Sequence, residues 1–441
     1  MTRFMTRSAT SLAALSLALV ATSASAQTVA ITGGTVYPVS GAPIQNGTVV
    51  IRDGKIVAVG ANAAIPAGAQ RIDATGKIVT PGFIDASTQL GVVEIGGEGD
   101  TRDVNAKGTN NVAASFRVWD GLNSESVNWG PARNEGITSV VVAPAGGLVA
   151  GQAAVVDLAP ELAREMVRRA PVAMVAQVED PNDAGTGARG ELLGKLRTLL
   201  EDVRFYKAHR TDYDRANSRE LSASRADLEA LIPVVDGKLP LAIQADRVDD
   251  IEGALTLAHD FGLKIMIVGG AEAWLAANDL AAAHVPVIAG AMNNIPTSYQ
   301  TLNQRQENVG LLSKAGVPVA IIGNNGDGDE ELFNVRNVKY EAGNAVSYGM
   351  THDAALRAVT LAPAEMFGVS EHIGSLQVGR DANVVVWSGD PFEFGTRAEH
   401  VLIHGREVIA PTRQDMLTER YKTLPPSYAQ PNPVVGPATQ P

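Results

Sequence analysis

The chain has 441 residues, of which 45% are hydrophobic, 19% charged and 5% aromatic, a balance that supports a folded core and excludes a disordered or fibrous chain. It contains no cysteine, which excludes disulfides, thiolate metal sites and a cysteine nucleophile. Lys plus Arg number 36 against 48 Asp plus Glu, a formal charge of −12 with no basic cluster, so neither nucleic acid nor an anionic membrane is an expected partner.

Residues 1–26 read as an export signal. Arg3 and Arg7 give a positive start, 12–20 is a short apolar run, and Ala24-Ser25-Ala26 has the small-x-small pattern of a signal-peptidase site. The run is far shorter than the ~20 residues that span a bilayer. Cleavage after Ala26 predicts a soluble periplasmic protein, and with no cysteine after the site it is not a lipoprotein.

Residues 27–82 have the texture of short strands broken by glycines, and Asp53-Gly54 between two β-rich runs predicts a hairpin. The same texture returns at 375–412, with His404-Gly405-Arg406 as a second strand turn. Two such segments at opposite ends of a chain predict one composite β-sandwich domain that encloses the middle as a separate body. Within 83–374, apolar runs alternate with helical patterns. Strands are expected over 78–85, 138–142, 153–157, 172–178, 241–245, 264–268, 285–289 and 317–322. Helices are expected over 191–206, 225–231, 249–261 and 272–283. About eight strand and helix units predict an α/β fold, a (β/α)8 TIM-like barrel of parallel strands. Residues 413–441 form a C-terminal extension, Pro-rich and expected to be disordered from 424.

Three stretches carry a family resemblance. They are Thr80-Pro81-Gly82-Phe83-Ile84-Asp85, Ala132-Arg133-Asn134-Glu135-Gly136-Ile137-Thr138, and the segment from Gly374-Ser375-Leu376 through Gly379-Arg380-Asp381-Ala382-Asn383. In this order they resemble the PGFID-x-H-x-H, AR-x-GVT and GS-x-x-x-GK-x-AD motifs of the amidohydrolase superfamily, nearest its imidazolonepropionase-like and dipeptidase-like members. The resemblance spans about 28–410. It implies a hydrolase of cyclic amides, ureas or acyl-amino compounds that uses Zn²⁺ or another divalent metal. Family members commonly associate, so it also implies a homo-oligomer or a hetero-oligomer with an active paralogue.

Carried over residue by residue, the resemblance places the first-strand His pair at Ser87 and Gln89, the fifth-strand His at Gln244, the sixth-strand His at Gly269 and the eighth-strand Asp at Asn324. Neutral hydroxyl and carboxamide groups are weak Zn²⁺ ligands, and Gly269 has no side chain. No metal or other cofactor is therefore expected. The seven histidines fall on helices (His209, His259, His284, His352) or toward the terminal β region (His372, His400, His404).

Other polar residues fall where barrel enzymes place their sites. Asp85 is on the first strand, and Gln244 and Asp246 share a strand face by the period of two. Asn293 follows the seventh strand and Asp327 the eighth. An oxygen-only Mg²⁺ or Ca²⁺ site at Asp85, Asp246 and Asp327 is one alternative, and plain helix capping is another. Gly146-Gly147 is too sparse for a phosphate-binding loop. These residues predict an exported protein with a degenerate metal site, non-catalytic or catalytically altered, that serves as partner of an active paralogue. The alternatives are a genuine carbon–nitrogen hydrolase and a periplasmic binding protein for a small molecule. N-terminal sequencing of the exported protein is expected to start at Gln27; recovery of the unprocessed chain from the cytosol would overturn the export reading.

Overall fold

The computed structural model of the chain describes residues 28–423 except 181, 293, 294, 297, 324–333 and 412. The export signal and the Pro-rich tail lie outside the described residues. Two sheets of eight strands each organise the fold. The first is drawn from both ends of the chain. It holds β1 (Thr28–Val36), β2 (Ile44–Arg52), β3 (Lys55–Gly60), β4 (Gln70–Asp73) and β5 (Ile78–Pro81), joined by β14 (Val384–Trp387), β15 (Ala398–Ile403) and β16 (Arg406–Glu407). The strand order is β16-β15-β14-β5-β1-β2-β3, with β4 also on β1. Asp53 and Gly54 turn β2 into β3 with φ of 53° and 76°, the doubly positive geometry that favours an Asp-Gly pair in a two-residue hairpin.

The second sheet curls into a nearly closed barrel in plain chain order. Its strands are β6 (Phe83–Thr88), β7 (Ile137–Val142), β8 (Val149–Asp157), β9 (Val167–Gln177), β10 (Leu241–Ala245), β11 (Ile265–Gly269), β12 (Val287–Ala289) and β13 (Val319–Ile321). Helices such as Arg189–Ala208, Val248–Phe261 and Val338–Ser347 cover its outer face. Inside and outside alternate along each strand, as a period of two requires. On β10, Ala242 joins the inner cluster while Leu241, Ile243 and Ala245 pack outward against the helices.

Two expectations change at the level of single strands. The run 78–85 is not one strand: Gly82 divides β5 in the first sheet from β6 in the barrel. A Cβ on Gly82 would lie 2.1 Å from the Thr138 side chain, so no larger residue fits where the chain passes between the sheets. The run 153–157 belongs to β8, which is antiparallel to both β7 and β9 rather than parallel. Only residues 143–148 separate β7 from β8, too few for the crossover of about a dozen residues that a parallel pair needs. The expected helix over 272–283 is a 3-10 turn (Ala273–Ala276) followed by a short helix (Ala277–Ala282).

The two sheets are packed together through Trp387 of β14. Its ring lies 4.9 Å from that of Phe83 at the start of β6, and its Nε1 donates to Thr80 Oγ1 at 2.8 Å. The ring also covers Gly136, which has φ of 81° and whose added Cβ would lie 2.3 Å from the indole. Gly136→Ala combines a steric clash with a left-handed backbone, and is expected to destabilise by roughly 2–4 kcal/mol. Thermal unfolding checks this, and a melting temperature equal to that of the unaltered chain would refute the close packing.

Candidate functional site

A cavity of about 380 Å³ opens at the carboxyl ends of the barrel strands. The sequence makes room for it. Barrel interiors are usually filled by layers of Val, Ile and Leu, but here Ala86, Ala153, Ala173 and Ala242 occupy inward positions on four strands. The space narrows downward to Phe367. These alanines have at most 5% of their surface exposed, so the usable volume lies above them, at the level of Val175 and Val268.

Three residues that the resemblance singled out meet in this cavity: Ser87 on β6, Gln89 just past its end, and Gln244 near the end of β10. The register of β6 against β7 shifts between Asp85 and Thr88, which breaks strict alternation where the strand enters the mouth. Gln89 is only 7% exposed, yet its carboxamide has no hydrogen-bond partner among the described residues. Near Gln244, the Glu179 side-chain Oε2 accepts from the Asp246 N–H at 3.1 Å.

Asp180 and Asp183 follow β9 and make one wall acidic, and Glu179, just before them, is buried behind that wall. Burial first, then the like charge of Asp246, push the Glu179 carboxyl up to about 8. Asp183 Oδ2 accepts from the Gly147 N–H at 3.0 Å and from Gln177 Nε2 at 2.8 Å. Asp180 Oδ1 accepts from the N–H groups of Asn182 and Asp183. Burial is the largest cause that raises the Asp183 pKa, and the neighbouring Asp180 charge adds to it. Arg102 and Asn105, from the long connection after β6, complete the rim. None of these five wall and rim residues was singled out from sequence. The signal for three of them was available, since Glu179, Asp180 and Asp183 directly follow a barrel strand, where sites lie. Arg102 and Asn105 had no such signal, because their connection has no periodic pattern.

The remaining candidates have other duties. Gly269 does not line the cavity; Val268 does. Gly269 has φ of 88°, and a Cβ there would lie 2.5 Å from Asp246 Oδ1, so the glycine makes space for that carboxylate. Asp246 lies beyond the end of β10, so the two-residue alternation no longer applies, and its Oδ1 accepts from the Ala271 N–H at 3.0 Å. Asp85 is 1% exposed and also turns away from the cavity: Oδ1 accepts from the Ser87 N–H and Oδ2 from the Gly323 N–H, both at 2.9 Å. Asn293, Asn324 and Asp327 lie outside the described residues. The Gly147 N–H is engaged by Asp183 rather than open to an anion. Histidines are used elsewhere: His404 meets Asp157, His352 meets Asp390 and His400 meets Glu407.

Comparison with known proteins matches this architecture. The Amidohydrolase family profile covers residues 345–409. An imidazolonepropionase from Mesorhizobium japonicum is 25% identical over 393 residues, spanning 82% of this chain and 91% of that protein. Amidohydrolase tasK from Hapsidospora irregularis is 38% identical over 77 residues, which is 18% of this chain and only 8% of that protein. The crystal structure of an amidohydrolase from Thermotoga maritima superposes with a TM-score of 0.77 at 27% identity, covering 86% of this chain and 99% of that one. The chain is therefore a member of the amidohydrolase superfamily. Within that superfamily it is imidazolonepropionase-like.

The superfamily is typically metal-dependent, so the donor set at the mouth must be tested against a divalent metal. Among the described residues, no three His, Asp or Glu side chains are grouped to hold one. Ser87, Gln89 and Gln244 offer only neutral oxygen donors, and Asp85 and Asp246 are engaged by backbone N–H groups. This set does not fit the His and carboxylate ligands that Zn²⁺ sites use.

A second buried acid lies outside the barrel wall. Glu341 is 0% exposed and accepts from the Met292 N–H at 2.7 Å and from Ala291, while Oε1 has no partner among the described residues. Burial raises it to about 7. Between the ordinary value of 4.5 and these raised values, the folded chain keeps protons that the unfolded chain has released. The contribution of these two groups to stability must therefore fall as pH rises from about 4.5 to 8, at about 1.4 kcal/mol for each unit by which a pKa is raised. Glu179→Gln keeps an acceptor for the Asp246 N–H but cannot ionise. Denaturant unfolding at a series of pH values is expected to show a shallower decline for this variant between pH 5 and 8. An unchanged slope would mean that Glu179 is ionised in the folded protein.

Proposed function

We propose that this chain is an exported amidohydrolase-superfamily protein whose barrel mouth binds a small molecule without metal-dependent hydrolysis, and that it works in the periplasm beside an active paralogue. The observation that carries the reading is the set Ser87, Gln89 and Gln244 in the cavity, at positions where the resemblance puts histidines. The carboxamide and hydroxyl groups there can hold a ligand by hydrogen bonds. They cannot act as a general base near neutral pH, and they cannot acidify water as a bound Zn²⁺ does when it lowers the pKa to about 7. The export half of the reading rests on Arg3, Arg7, the apolar run at 12–20 and Ala24-Ser25-Ala26. The paralogue half rests on the association common among relatives.

A second reading, hydrolysis of a carbon–nitrogen bond, is favoured by one observation. Burial and the like charge of Asp246 raise the Glu179 carboxyl, which lies behind the cavity wall, to about 8, which gives the region of the mouth one acid that does not depend on a metal.

Metal analysis of the purified mature protein, combined with an amide and lactam hydrolysis panel, decides between these readings. Less than about a tenth of an equivalent of Zn²⁺ is expected, with no turnover when Zn²⁺, Mn²⁺ or Co²⁺ is added. Ser87→His with Gln89→His is expected to stay inactive, because Gln244 still supplies no metal ligand. About one equivalent of metal with chelator-sensitive turnover would overturn the first reading, and chelator-insensitive turnover lost in Glu179→Gln would establish the second.

A further inference from the structure

We propose that the ligand of the barrel mouth is a small compound carrying both a primary ammonium group and a carboxamide, with the ammonium held by Asp180 and Asp183 and the carboxamide by Gln89. The inference rests on the reading that the mouth binds a small molecule, and it goes further by naming the chemistry.

Gln89 is the first observation. Gln89 as a residue is 7% exposed, so what its carboxamide can reach is set by the cavity it lines and not by open surface. It lines the cavity and has no partner among the described residues. A carboxamide both donates and accepts, so its best complement is another amide, which satisfies both ends at once.

The acidic wall is the second. Asp183 is fixed through one oxygen only, Oδ2, by Gly147 and Gln177. Asp180 is likewise fixed through Oδ1, by two backbone N–H groups. Asp183 Oδ1 and Asp180 Oδ2 are left without a partner among the described residues, and no Lys or Arg pairs with either carboxylate. Both residues line the same cavity as Gln89. Two carboxylates held in place by donors on one oxygen each, with the other oxygen open, offer charge-assisted hydrogen bonds to an ammonium group. At about 380 Å³ the cavity lies at the small end of ligand sites, which suits a compound of few heavy atoms.

The test is isothermal titration of the full mature chain at pH 7 with glycinamide, acetamide and methylamine. Glycinamide is expected to bind at least tenfold tighter than acetamide or methylamine. Asp183→Asn is expected to reduce glycinamide to the acetamide level while leaving acetamide unchanged, and Gln89→Leu to weaken both amides. Asp180→Asn gives the same comparison if Asp183→Asn fails to fold. Equal binding of glycinamide and acetamide overturns the inference, as does binding of neither. Displacement of glycinamide by micromolar Ca²⁺ also overturns it, because the carboxylates would then be a metal site. The two readings fail separately. Ammonia release from glycinamide by a metal-loaded protein would end the metal-free reading and leave the ammonium subsite standing. Equal binding of the two amides without turnover would do the reverse.

Discussion

Asp85 lies on the seam between the first and last strands of the barrel, where no ladder joins β6 to β13 among the described residues. Its carboxylate, 1% exposed, reaches across and accepts the Gly323 N–H just beyond β13, while its other oxygen holds the Ser87 N–H of its own strand. Hydrogen bonds to a charged acceptor are worth roughly 1.5–3 kcal/mol each, and a buried carboxylate without them would be costly. One side chain thus ties the barrel shut and fixes the end of β6, where Ser87 stands and Gln89 follows. A second buried carboxylate ties barrel to sheet. Asp157 on β8 is held by Arg168, Ser139 and His404, and Arg168 also meets Asp381 near β14. Burial alone would raise the Asp157 pKa, but His404 and Arg168 outweigh it and hold the group below its ordinary range. His404 is raised in return, chiefly by the same hydrogen bond.

Much of this architecture was legible because hydrophobic runs mark strands regardless of what they pair with. The runs at 138–142 and 241–245 correspond to β7 and β10 almost residue for residue. Direction is not written in such runs. Ala153, Val155 and their neighbours are as apolar as any parallel strand, and only the short connection at 143–148 betrays that β8 must turn back. Gly82 is similar. Nothing in a Thr-Pro-Gly-Phe-Ile sequence says that its two halves belong to different sheets, because the constraint is the Thr138 side chain 56 positions away in the chain.

The site was legible only in part, for a related reason. The family motif fixes which β6 residues approach the mouth, and Ser87, Gln89 and Gln244 do converge there. Gly269, Asp85 and Asp246 were judged by position or strand face, and each is removed from the cavity by a local interaction that periodicity cannot express. Asp246 stands past the last paired residue of β10, and the left-handed backbone of Gly269 lets it fold against the chain. The acidic wall is not legible in the family motifs, because Asp180 and Asp183 lie in a turn after β9 that none of the three motifs covers. Their chemistry follows from burial and mutual repulsion, which are properties of the folded wall and not of the sequence run.

The division of duties along β6 separates a residue that the fold depends on from residues that face the cavity. Residues 85 and 87 lie two apart on β6 and Gln89 follows just past its end, yet they depend on the fold to different degrees. Replacing Asp85 would leave the N–H groups of Gly323 and Ser87 without their acceptor at a buried seam, so change there is opposed by the fold itself. The side chains of Ser87 and Gln89 bond to nothing else described in the fold and face a cavity, so change there is resisted only by whatever occupies that cavity. The same holds on the opposite wall. Glu179 has Asp246 and Asp250 as its nearest charges, both of its own sign, and it avoids an uncompensated buried charge by keeping its proton near neutral pH. The carboxylates around the mouth are thus held either by backbone donors, as Asp85, Asp246, Asp180 and Asp183 are, or, as for Glu179, by a retained proton.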